Sequence, residues 1–168
     1  QQKELLLVFC SEVYIAKIQG IFVNAGARPT AAVKFSIIFA GVSSAYTDGL
    51  ATVNGVADIP TLKFGTSKLY GEGTITLPAG TKTVKYYAVG WKGNSTTLEF
   101  SVNGSVVTTQ AVVANDGASG NAPYTMTVTA SDCYTFSLPS ALTAETTVTV
   151  KTTGSYRAIM FGINAYTK

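Results

Sequence analysis

Apolar and polar residues alternate with a period of two through most of this chain. In 124–129, Tyr124, Met126 and Val128 fall on one side and Thr125, Thr127 and Thr129 on the other, the pattern of a strand with one buried face. Tyr134, Phe136 and Leu138 oppose Cys133 in 132–138, and Val148 and Val150 alternate with Thr147, Thr149 and Lys151 in 145–152. Two runs are apolar on both sides: KTVKYYAVGW at 82–91, and the closing YRAIMFGINAY, where Ile159, Phe161 and Ile163 oppose Ala158 and Met160. Such runs belong in the middle of a sheet that is covered on both faces. Residues 33–39, VKFSIIF, read as one further strand with Val33, Phe35, Ile37 and Phe39 on its apolar face.

Turn residues divide these runs. Asn103-Gly104 lies between two β-rich stretches, a strong hairpin signal because a type I′ turn needs positive φ at both central residues. With a second turn at Gly93-Asn94, the spacing predicts an antiparallel meander of 82–91, 96–102 and 105–113. About ten short strands in one domain's length, joined by hairpins and longer connections, imply an all-β, antiparallel two-sheet β-sandwich of jelly-roll-like form.

Composition agrees with that class. The 168 residues include 24 Thr and 17 Val but only five Glu, so residues suited to a pleated, half-buried surface outnumber straight-chain helix formers. A chain of this length buries about 70% of the surface its unfolded form exposes, enough for one core. Charged residues make up 12% and the formal net charge is +3, with Arg28 and Arg157 the only arginines and the ten lysines scattered. No basic run could track a phosphate backbone, so nucleic acid is not an expected partner. Glu12 and Lys17 interrupt the apolar opening, and no stretch reaches the roughly 18 to 20 apolar residues of a spanning helix.

Histidine is absent, which removes the commonest general base and the commonest zinc ligand. Serine and cysteine nucleophiles therefore lack their usual partner, and the few carboxylates sit mostly at strand ends or outward positions. Catalysis is not expected. Cys10 and Cys133 are too few for a zinc site or a multi-bridge framework, and are read either as a pair outside the cell or as two small buried hydrophobes.

Thr61–Lys168 resembles a β-sandwich module found near the C-termini of secreted proteins and lipoproteins of Bacteroidetes. The residues that carry the likeness are LKFGTSKLYGEGTITLPAG, YYAVGWKGNSTTLEFSVNG, ANDGASGNAPYTMTV and YRAIMFGINAY. The resemblance implies an extracellular or cell-surface accessory unit, adhesive or carbohydrate-binding.

The opening QQKELLLVFCSEVYIAKIQG lies outside that likeness. Glu4 adjoins the apolar run, the run from Leu5 to Cys10 is six residues long, and Ile18 stands where a small residue would precede cleavage. These features fit a secretory signal poorly. The expected organisation is an N-terminal β-arm over 1–28 and the sandwich over 29–168. Leu5, Leu7, Phe9, Val13 and Ile15 are the arm's candidate packing residues. Completing its own sheet, the arm gives a monomer; seated in the next copy, it gives a homo-oligomer or filament. An apolar strand left bare would be an aggregation hazard.

A structural or adhesive subunit associating through this arm is thus the first reading. A carbohydrate-binding module is the alternative. Sugars stack C–H faces on aromatic rings and hydrogen-bond at their edges, so Trp91, the only tryptophan, with Tyr70, Tyr87, Tyr124, Asn94 and Arg157, are the candidate ligand contacts. Trp91 serves as an anchor if exposed and needs no ligand if packed. No cofactor is required, although Asn115 and Asp116 in the polar loop VANDGASGNAPY, with Asp48, offer oxygen donors of the kind calcium takes. Turn chemistry explains the same residues.

Overall fold

Ala158–Tyr166, apolar on both sides, lies at the middle of the larger of two sheets. The computed structural model describes residues 4–9, 12–17, 34–36, 38–153 and 157–167, with side chains from Phe39 onward. In chain order the strands are β1 Glu4–Phe9, β2 Glu12–Lys17, β3 Lys34–Ser36, β4 Ile38–Ser43, β5 Ala45–Tyr46, β6 Leu50–Val53, β7 Val56–Phe64 and β8 Glu72–Leu77. They continue with β9 Thr83–Trp91, β10 Thr96–Val102, β11 Ser105–Val112, β12 Ala114–Asn115, β13 Tyr124–Met126, β14 Cys133–Ser137, β15 Thr146–Thr152 and β16 Ala158–Tyr166. One 3₁₀ turn, Ala130–Asp132, is the only described helical element.

Sheet I has the order β11-β10-β15-β8-β4. Sheet II runs β12-β9-β16-β7-β6-β13, with β14 also beside β9, β3 beside β16 and β5 beside β7. Pairing is antiparallel except for the short contacts β12–β9 and β13–β6. The protein is an all-β two-sheet sandwich.

Alternation decides what lies between the sheets. Ile75 and Leu77 of β8, Leu98 and Phe100 of β10 and Val148 and Val150 of β15 meet Leu62 and Phe64 of β7, Val84 and Tyr86 of β9 and Met160 of β16 in the main core. Tyr86, Phe100 and Phe136 form an aromatic group at its centre. The opposite face of sheet II is also buried. There Tyr87, Val89 and Trp91 of β9 and Ile159 and Phe161 of β16 pack under Ala118, Tyr124, Met126 and Val128. Asn54 pins that cover: its side-chain amide donates to the Val128 carbonyl and accepts from the Val128 N–H. The double-sided apolar pattern of 82–91 and of the last strand therefore reflects two cores, one on each face.

Two sequence expectations need correction. The predicted meander holds only for its second half: β10 and β11 form the hairpin, with Asn103 at φ 49° and Gly104 at φ 78°, but β9 pairs with β16, β14 and β12 rather than with β10. The Lys92–Ser95 turn carries the chain from sheet II to sheet I. Physically, a strand apolar on both faces needs cover on both, whereas the amphipathic β10 needs it on one. Likewise 33–39 is not one strand, since β3 pairs with β16 in sheet II and β4 with β8 in sheet I.

The N-terminal stretch includes a hairpin of its own, a two-stranded sheet of β1 and β2 separate in pairing from sheets I and II. Its register sets Leu5 and Leu7 opposite Ala16 and Tyr14, Phe9 opposite Glu12, and Val13 and Ile15 opposite Val8 and Leu6. The five candidate packing positions thus fall into two alternate sets. Among the described residues no cysteine is free; Cys10 lies outside them.

Candidate functional site

Strand register gathers a set of polar and aromatic side chains at one end of sheet II. Leu62 and Phe64 point into the main core, so Lys63 between them emerges on the opposite face. Lys63 stands directly across from Ile159 on one side and from Tyr46 of β5 on the other. One step further along, the Trp91 N–H donates to the Arg157 carbonyl at 3.1 Å. Lys63, Trp91, Arg157 and Tyr46 therefore come from four segments and meet at one edge.

The Trp91 ring is the hub. The Lys63 ammonium lies 4.5 Å from its centroid and the Arg157 guanidinium 4.9 Å, while Tyr124 meets it edge-on at 5.6 Å. Lys63 is also 5.6 Å from the ring centroid of Tyr46, a residue 44% exposed. Trp91 itself is only 4% exposed, and its Nε1 finds no acceptor among the described residues. Burial holds the Lys63 pKa below the usual value for an ammonium, the neighbouring Arg157 lowers it further, and Asp48 acts in the other direction. Asp48 is also near Tyr124, where burial first and this carboxylate second raise the phenol pKa.

Local structure shapes the rim. Thr66 accepts from the N–H groups of Lys68 and Leu69, and its own N–H donates to the Leu69 carbonyl. This tight loop leaves Leu69 and Tyr70 among the exposed large apolar side chains. Gly65, at φ 84°, lies between the Leu69 carbonyl and the stem of Arg157, so a Cβ there would come within 3.1 Å of both. Leu50 and Val42 are exposed in the neighbouring strands β6 and β4.

Trp91, Asn94, Arg157 and Asp48, all singled out from the sequence, come together at this end. Asn94 belongs to the inter-sheet turn, where its amide donates to the carbonyls of Trp91 and Lys92. Trp91 is packed rather than presented. Tyr70 is elsewhere, exposed and near Lys151 on the outer face of sheet I, where the Glu99 hydrogen bond and charge first, and Tyr70 last, raise the ammonium pKa. Tyr87 is also elsewhere, buried four residues before Trp91 on β9, two repeats of the pleat away, and stacked on Phe161 at 5.5 Å and 7°. Lys63 and Tyr46 were not singled out. The available signal was a lone lysine between two apolar residues of a strand, in TLKF.

The oxygen donors proposed for calcium have other engagements. Asn115 accepts from the Gly117 N–H and donates to the Thr127 carbonyl, closing an Asx turn. Asp116 lies against Gly93 in the inter-sheet turn. Among the described residues no group of three or more His, Cys, Asp or Glu side chains is placed to hold a metal ion. The buried carboxylate of Asp132 accepts from the Thr129 N–H in a capping box, and Glu99 pairs with Lys151 at 2.9 Å.

No family model matches the chain, and no curated protein matches it. Solved structures do. A carbohydrate-binding module of family CBM36, in complex with calcium and xylotriose, is 8% identical with a TM-score of 0.46, covering 79% of this chain and 99% of that one. The CBM22-1–GH10 modules of Clostridium thermocellum xylanase 10B, complexed with xylohexaose, give 14% identity and a TM-score of 0.49 over 77% of this chain and 26% of that one. The low-affinity xylan-binding module CBM86 of Roseburia intestinalis gives 16% identity and a TM-score of 0.37, covering 80% and 94%. At these identities and scores the likeness carries no residue correspondence and no argument about a ligand. No helix among the described residues is long and apolar enough to cross a membrane.

Proposed function

We propose that this sandwich is a non-catalytic carbohydrate-binding module of the cell exterior, holding glycan at the Tyr46–Lys63–Arg157 end of sheet II. The observation that carries the reading is the half-exposed Tyr46 beside the Lys63 ammonium, with Arg157 adjacent and exposed Leu69 at the rim. An aromatic face gives sugar C–H groups a surface, and charged donors at its edge fix their hydroxyls. Absence of histidine and the structural employment of Asp132 and Glu99 favour binding over hydrolysis.

Trp91 acts in this reading from beneath, as the packed floor that positions both cations. The test is a glycan panel read by binding calorimetry, with and without a calcium chelator. At least one glycan binds, and Tyr46→Ala weakens it about three- to tenfold while leaving the melting temperature close to that of the parent. Failure of every glycan to bind overturns the proposal.

Self-association is the second reading. It is favoured by the β1–β2 hairpin, which forms a sheet of its own, since an isolated two-stranded hairpin has little stability in water. Light scattering on the full chain should then give a mass above that of the monomer that falls when residues 1–20 are removed. A monomer at every concentration rejects this reading.

A further inference from the structure

We infer that the site at the end of sheet II is built for an acidic sugar, with Lys63 and Arg157 receiving the carboxylate of a uronic-acid unit. This rests on the carbohydrate reading and names its ligand class. Both cations lie against the one indole ring, at 4.5 and 4.9 Å from its centroid. Each contact with the ring is favourable, but two like charges drawn to one ring repel each other. The only ion pair among the described residues is Lys151–Glu99, so among them neither Lys63 nor Arg157 has a carboxylate within pairing distance. Asp48 is near enough to influence Lys63 and leaves two cations against one carboxylate.

An anion between Lys63 and Arg157 would remove that excess. A planar carboxylate suits the guanidinium fork, which it can accept in bidentate fashion, while the ammonium supplies a second charged donor. Tyr46, already over Lys63, would then lie beside the sugar ring that bears the acid. Neutral glycans would use the same aromatic face without relieving the repulsion.

Polygalacturonate and its fully methyl-esterified form are the probes, because esterification removes the charge and keeps the backbone. The acid form should bind at least tenfold more tightly than the ester. Lys63→Met and Arg157→Gln should each lose about tenfold for the acid, the scale of one charged hydrogen bond, with little change for the ester. Lys85→Met removes the same charge from a strand position where the lysine faces Tyr166 instead, and should stay within twofold. Circular dichroism confirms that each variant is folded.

Equal binding of acid and ester overturns the inference, as does an equal loss in Lys85→Met or tighter binding of dextran sulfate than of polygalacturonate, either of which marks a general polyanion effect. If neutral glycans bind with sensitivity to Tyr46→Ala while the acid gains nothing, the carbohydrate reading stands and this inference fails. If neither charged nor neutral glycan binds, both fail.

Discussion

Lys63 and the buried tyrosines make opposite contributions to stability at high pH. Burial pushes the phenols of Tyr86, Tyr87, Tyr124 and Tyr134 above their ordinary 10.0. The folded state therefore keeps these protons to higher pH than the unfolded chain, and their contribution, complete below pH 10, is lost as pH rises beyond it. Lys63 has a folded pKa lowered from 10.5, so it penalises the fold while charged, a penalty that begins to fall as pH reaches that lowered value and is gone above 10.5. Four groups against one predict net destabilisation above about pH 10. Denaturant midpoints measured from pH 8 to 12 should fall beyond that point, and Tyr86→Phe should flatten the fall. An unchanged slope in the variant would show that Tyr86 takes no part in it. The same residue scale shows what sequence could not reveal about Trp91. Its place at a strand end was legible, but whether it was presented or packed depended on Tyr124, 33 positions away, folding over it.

Individual strands were readable because their side chains obey a period of two whatever they pair with. Tyr124, Met126 and Val128 are buried and the threonines between them exposed, as alternation requires. Pairing between strands was readable only where a local turn dictated it. Asn103-Gly104 forced the β10–β11 hairpin, whereas the turn after Trp91 could as readily join two sheets as two neighbours. Gly90 marks the difference, since a Cβ there would run into the Asn94 carbonyl and come within 3.2 Å of the Val113 carbonyl. Gly104 has open space around it and only its φ of 78° to defend. Gly104→Ala should thus cost about 1–2 kcal/mol, the left-handed penalty alone, and Gly90→Ala about 2–3 kcal/mol or more, because backbone must move. Urea denaturation of both variants checks the order, and a larger loss at Gly104 would contradict this account of the inter-sheet turn.

At the scale of the whole molecule, sheet II has a core on each face, and the site lies where its outer cover stops. The segment 113–124 reads in sequence as a polar loop, yet it lays Ala118 and Tyr124 over the sheet, beside Met126 and Val128 of the amphipathic run that follows. This cover leaves Tyr46, Lys63 and Arg157 at its edge, so the site is a product of non-local packing and only Arg157 of the three was picked out beforehand. The fold class followed from local pattern, whereas the cation pair needed β7, β9 and β16 in register. Because the chain has one tryptophan and both cations lie against it, its emission reports on this end of the sandwich alone. The most direct measurement of the proposed function is therefore Trp91 fluorescence during titration with a glycan that binds. The account predicts a saturable change whose midpoint matches the calorimetric affinity and shifts with Tyr46→Ala; glycan binding that leaves the emission unmoved and is indifferent to Tyr46 would contradict it.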